Sequence, residues 1–176
     1  MRIGIFLPNW VGDVVMATPA LRTLRHHFGD LATLVGIMRP YVADVLAGSP
    51  WFDEQVEYDR KSLKGITRLI RDLRSKNLDT ALLLTNSFST GVAAWLSGAE
   101  QRVGFGRHGR SWLLTDRLRA PREGGTFLPR SAVDHYLDVV GALGCRTTPR
   151  KLELATTVED EKNADLVWEK FRWGPD

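Results

Sequence analysis

The run Ile3-Gly4-Ile5-Phe6-Leu7 is too short for a helix and stops at Pro8-Asn9, after which Val14, Ala17, Leu21, Leu24 and Phe28 recur at helical spacing. A buried strand passing through a Gly12-Asp13 turn into a helix is the first half of a βαβ unit. That unit commits the chain to a sheet whose strands are separated by helices. Thr18-Pro19 falls in this stretch in the order of a helix cap and a first-turn proline, which predicts that the regular helix begins there.

The alternation continues. Residues 31–38, 54–58, 79–84 and 102–105 read as further strands, and 40–47 as a short helix. Leu63, Ile66, Ile70 and Leu73 form the apolar stripe of a helix with its basic residues facing outward, and 92–96 belong to the next helix. Residues 106–130, rich in Gly, Arg and Pro, read as a long irregular loop of the kind that carries function. Ser131 caps a helix with apolar positions Val133, Tyr136, Leu137, Val140 and Leu143, closed by Gly144. A strand over 151–154 and an acidic-fronted helix over 158–171 follow. The expected fold is α/β, a doubly wound, Rossmann-like parallel sheet with helices on both faces. Ligands of such sheets bind outside the carboxyl ends of the strands, where strand order reverses. Segments 8–13, 60–64 and 85–89 are placed there.

At 176 residues and 43% hydrophobic, the chain supports one core without covalent staples. Cys145 is the only cysteine, so an internal disulfide and a cysteine-rich zinc site are both excluded. The charge-free window 80–99 matches a membrane span in length. It fails on content, because Thr85, Asn86, Ser87, Ser89, Thr90 and Ser97 would lie at membrane depth. With no secretory signal at the start either, a cytosolic protein, or one on a membrane face, is expected.

Net charge is only +3, but the cations are clustered. Arg60, Lys61, Lys64, Arg68, Arg71, Arg74 and Lys76 surround a lone Asp72, and Arg102, Arg107, Arg110, Arg117, Arg119 and Arg122 form a second group. Clustered guanidinium groups suit an anionic partner such as phosphate or carboxylate, or else a solvated face. Arg60, Lys61 and Lys64 stand at a helix start on the carboxyl edge, where an anion is already favoured. Arg107 and Arg110 in the later loop read the same way. Near-balanced total charge and the lack of a binding module argue against nucleic acid.

The segment Asn9-Trp10-Val11-Gly12-Asp13 is the first chemical candidate. Asp13 is either a partner of a helix N-terminus or a general base held at the mouth of the cleft. Trp10 either stacks on a sugar or packs. Only Gly12 of a Gly-x-Gly-x-x-Gly fingerprint is present, so nicotinamide and flavin chemistry are disfavoured, and no cofactor is expected. His26, His27, His108 and His135 lack partners at ligand spacing, so no metal site is expected.

Pro8-Asn9-Trp10-Val11-Gly12-Asp13-Val14-Val15-Met16 with Pro19-Ala20-Leu21, Leu84-Thr85-Asn86-Ser87-Phe88, Arg102-Val103-Gly104-Phe105 and Val133-Asp134-His135-Tyr136 follow one another in an order that resembles the glycosyltransferase family 9 heptosyltransferases. The Trp-Val-Gly-Asp and Asn-Ser-Phe elements are more similar to the type II branch than to type I. The resemblance spans nearly the whole chain. It implies the amino-terminal, acceptor-binding half of a GT-B enzyme, two Rossmann-like domains with a cleft between them. Such enzymes move L-glycero-D-manno-heptose from ADP-heptose to the lipopolysaccharide inner core, with inversion and without a metal, at the cytoplasmic face of the inner membrane.

By the same resemblance Asp13 is the catalytic base, and Arg60, Lys61 and Lys64 bind acceptor phosphates and an acidic keto-sugar. Asn86 and Ser87 line the cleft, and Asn9, Trp10, Gly12, Arg107 and Arg110 join the acceptor side. Residues 1–172 are then the acceptor domain and 173–176 the start of a linker, with the ADP-heptose domain outside this sequence and no turnover expected without it. The alternative from another class is a non-catalytic anion-binding domain that docks a phosphorylated lipid or a protein.

Overall fold

The computed structural model describes residues 1–59, 63–124, 126–146 and 149–171. Six strands form one parallel sheet: β1 (Arg2–Phe6), β2 (Thr33–Met38), β3 (Glu54–Glu57), β4 (Thr80–Leu83), β5 (Gln101–Phe105) and β6 (Asp116–Leu118). Their order across the sheet is β3-β2-β1-β4-β5-β6. The direction of winding therefore reverses between β1 and β4, which are paired in register from Ile3↔Thr80 to Phe6↔Leu83.

Both faces of the sheet are covered, so the central strands are apolar on both sides. Ile3, Ile5, Leu7, Leu82, Leu84 and Phe105 point into one core, shared with α1 (Val11–Phe28), α2 (Pro40–Leu46) and α5 (Ala132–Gly141). Phe6, Val35, Ile37, Ala81 and Leu83 point the other way, toward α3 (Leu63–Ser75) and α4 (Phe88–Leu96). At the amino edge, Arg2 and Lys76 both reach the Glu54 carboxylate at 2.7 Å. That pairing closes the end of the sheet remote from the candidate site.

Several expectations are corrected. The first helix begins at Val11, not at Thr18, and Pro19 lies inside it. Proline has no N–H for the Val15 carbonyl four residues back, and the Thr18 hydroxyl donates to that oxygen at 2.8 Å instead. Gly12 consequently sits in a helical turn, and a Cβ there would meet nothing within 4 Å. Among the described side chains of α3 the buried ones are Leu69 and Leu73, while Ile66 is exposed.

The stretch after β5 is more ordered than its composition suggests. It holds a 3-10 turn (Ser111–Leu113), the edge strand β6, and a hairpin of β7 (Arg122–Glu123) and β8 (Thr126–Phe127). Residues 151–154 form no strand; they cross α1, where the Glu153 amide donates to Thr18 Oγ1 at 3.0 Å and Arg22 pairs with Glu153 at 2.8 Å. A helix offers such a segment side chains in place of a free sheet edge. The last helix, α6 (Val158–Phe171), has no buried residue.

Candidate functional site

The turn after β1 and the turn after β4 meet at the switch point, each leading into a helix N-terminus. The first is held by Tyr41 of α2, whose hydroxyl donates to the Asn9 carbonyl at 2.5 Å. Trp10, 78% exposed, occupies the N-cap position of α1 without a side-chain cap, and Asp13 stands in the first turn. At the second turn Ser87 caps α4 by accepting from the Thr90 amide at 3.2 Å.

Asp13 and Asn86 face one another across a cavity of about 450 Å³ that Arg107, Arg130, His135 and Tyr136 also line. Two of these come from α5, which packs chiefly on α1. The Tyr136 hydroxyl donates to the Asp13 carboxylate, and its own ionisation is pushed well above the ordinary tyrosine range, by burial first and by the Asp13 charge second. Hence it remains a donor at any physiological pH.

Arg110 organises the opposite wall from within. It is fully buried, and its guanidinium donates to the Phe105 carbonyl at 3.0 Å, the Ser87 carbonyl at 3.3 Å and Asn86 Oδ1 at 3.2 Å. Burial lowers its pKa to about 10, which leaves it charged at neutral pH. Among the described residues no carboxylate pairs with it. Gly91 of α4 and Gly104 of β5 make room, since a Cβ on either would come within 3.5 Å of an Arg110 atom.

A guanidinium only donates, so Arg110 fixes which end of the Asn86 amide is the oxygen. The amide nitrogen is thereby turned to His135 Nε2 at 3.2 Å, and that ring nitrogen must accept. The imidazole is neutral for the same reason. Burial first, then the charges of Arg107, Arg110 and Arg130, push its pKa down to about 4. Its ring stacks on Phe105 with centroids 4.0 Å apart.

The sequence-predicted residues thus separate into groups. Asp13, Asn86 and Arg107 line one cavity, with Ser87 beneath it as a helix cap. Asn9, Trp10 and Gly12 lie in the turn and first helical turn that carry Asp13, and none of them lines that cavity. Arg110, predicted on the acceptor side, is fully buried behind Asn86, to which its guanidinium donates. Arg60 and Lys61 lie outside the described residues, and of Lys64 only the backbone, in the first turn of α3, is described. Residue-level reasoning passed over His135, Tyr136 and Arg130. The signal was the Ser131 cap, which sets the first turn of a helix at the carboxyl edge of the sheet.

Arg107 also lines a second opening of about 690 Å³ with His108, Arg119 and Arg122. Phe127 lies under both Arg107 and Arg122, at 4.7 and 4.0 Å from ring centroid to guanidinium carbon. The turn between them is tight, with His108 and Gly109 both at positive φ.

No family model matches the chain. It is 27% identical over 121 residues to lipopolysaccharide heptosyltransferase 2 of Escherichia coli strain K12, an alignment that takes in 66% of this chain and 34% of that protein. Its fold superposes on a glycosyl transferase family 9 structure from Veillonella parvula with a TM-score of 0.81 at 22% identity, covering 97% of this chain and 49% of the other. The Escherichia coli ADP-heptose lps heptosyltransferase II structure gives a TM-score of 0.71 at 23% identity, over 97% and 50% of the two chains. The chain therefore spans about half the length of the structures it matches. In sequence and in fold the chain is thus similar to about half of a glycosyltransferase family 9 or heptosyltransferase II chain.

Proposed function

We propose that this chain is the acceptor-binding half of an inverting, metal-independent transferase that moves heptose from ADP-heptose to the lipopolysaccharide inner core, of the type II branch. Residues 1–172 serve as that domain, and the donor is held by a partner domain beyond residues 173–176. The observation that carries the reading is the Asp13 carboxylate, held by Tyr136 at the sheet's switch point and facing a cavity lined by Arg107 and Arg130.

A base in this position takes the proton of an acceptor hydroxyl as that oxygen attacks the anomeric carbon. The new C–O bond forms as the bond to the ADP oxygen breaks on the opposite side, so the configuration inverts. The proton ends on Asp13, and the electron pair leaves with the diphosphate. Arg107, Arg130 and the basic segment Arg60, Lys61 and Lys64 suit the phosphates and acidic sugar of the acceptor. Asn86, fixed by Arg110, offers its amide at the same wall. Work on such an acceptor takes place at the cytoplasmic face of the inner membrane, with peripheral contact between protein and lipid.

Asp13→Asn tests the assignment. Assayed in the complete transferase with ADP-heptose and inner-core acceptor, it should lower kcat by about a hundredfold or more and change acceptor affinity little, because a base acts in the transition state. Undiminished turnover would favour the other reading, a domain that binds anions without chemistry.

A further inference from the structure

We infer that the outer face of α3 and α4 docks on an anionic phospholipid surface. This deepens the membrane contact in the proposed function and rests on that reading.

Phe88 and Trp95, one on each side of two α4 turns, point to the same side of the helix, and Trp112 lies 6.4 Å from each ring. The three are 46%, 51% and 64% exposed, whereas the buried positions of α4 are the small residues Thr90, Gly91 and Ala94. Beside them an apolar groove of about 270 Å³ opens between α3 and α4, walled by Ile66, Ile70, Val92 and Leu96. Exposed large rings continuous with an open apolar groove mark an interaction surface.

The charge next to it selects the partner. By sequence α3 carries Lys64, Arg68, Arg71 and Arg74 against Asp72 alone. Arg68 and Arg71 extend into solvent with side chains 77% and 76% exposed, each 3.6 Å from Asp72. Arg74 reaches across to the Leu96 carbonyl at 2.9 Å, so the cationic helix is tied to the aromatic one. Indole and phenyl rings at headgroup depth, flanked by arginines, match a bilayer whose surface is negative.

Placement links the face to the site. Phe88 is the first residue of α4 and follows Asn86-Ser87, so the aromatic surface begins where the cavity wall ends. A sugar carried on a lipid anchored in that bilayer would be presented at the mouth that Asp13 faces.

The test is co-sedimentation of the chain with phosphatidylcholine vesicles and with vesicles containing phosphatidylglycerol, across a salt series. Binding is expected to the anionic vesicles only, weakening as salt rises. Trp95→Ser with Trp112→Ser should lower vesicle affinity about tenfold or more, and Arg68→Ala with Arg71→Ala should lower it and flatten the salt dependence. Trp168→Ser, an exposed ring on α6, should bind as the parent does, and circular dichroism should show every variant folded.

The inference is overturned by an absence of binding to anionic vesicles, by equal binding to both vesicle types, or by binding that survives the double tryptophan variant. Self-association through Trp95 and Trp112 without vesicle binding would assign the face to a second copy instead. None of these outcomes touches the transferase assignment, which the Asp13→Asn assay tests separately.

Discussion

The Tyr136 hydroxyl donates a hydrogen bond to the Asp13 carboxylate, joining α5 to the first turn of α1 at the mouth of the cavity. Tyr136→Phe keeps the buried ring and removes only that donor. The expected cost is about 1 kcal/mol in urea denaturation, as for a hydrogen bond to a group that water can still reach. In the complete transferase, kcat should fall about tenfold with KM nearly unchanged, because the carboxylate is less well aimed.

Arg110 is tested by Arg110→Met. That substitution relieves a buried charge, but it leaves the Phe105 and Ser87 carbonyls and Asn86 Oδ1 without their donor. A net loss of about 2–4 kcal/mol is expected, since orphaned acceptors cost about 1–3 kcal/mol each. Arg110→Lys keeps the charge and lacks the fork, so it should rescue little. The measurement is the urea midpoint at constant m-value.

The neutral state of His135 predicts a pH dependence. Its imidazole titrates near 4 in the folded chain and near 6.5 when unfolded. Between those values the unfolded chain takes up the proton and the folded chain does not. Its contribution is therefore intact above pH 6.5, falls as pH drops toward 4, and levels off below. About 3 kcal/mol is lost across that window. His135→Gln should remove this part of the slope in denaturation curves at pH 7 and pH 4.5; identical slopes in parent and variant would refute it.

Arg107 stands where the two openings meet, and its Nε is buried without a partner. Arg107→Ala should weaken binding of a phosphorylated inner-core oligosaccharide about tenfold in a titration and reduce its salt dependence. Loss of affinity with an unchanged salt slope would point to the stacking on Phe127 as its role.

The sheet was legible because its central strands carry runs such as Ile3 to Leu7, apolar on both faces and bounded by Pro8 and Asn9. The helices of known period followed from the same signal. What escaped was decided by tertiary partners. Thr18-Pro19 has the order of a helix start, yet the helix runs through it because the Thr18 hydroxyl satisfies the carbonyl that proline abandons. Strand β6 is three residues, two of them charged and exposed, and no periodicity announces it. At the site, Asp13 and Asn86 were recognisable from their strand ends. His135 and Tyr136 were not, because a helix 120 residues away in sequence supplies them and only the packing of α5 on α1 brings them in. Arg110 looked like its exposed neighbours in an arginine-rich loop; burial alone separates it from them.

That separation has a consequence for how the cavity meets a ligand. Water is stripped from the Arg110 guanidinium once, when the chain folds, and no later event has to repeat it. The exposed Arg68 and Arg71 must shed hydration and settle on rotamers at each encounter. Arg110 needs neither, so its positive potential is a permanent property of the wall behind Asn86. An incoming anion finds that field already oriented, in a region where few water dipoles remain to turn against it.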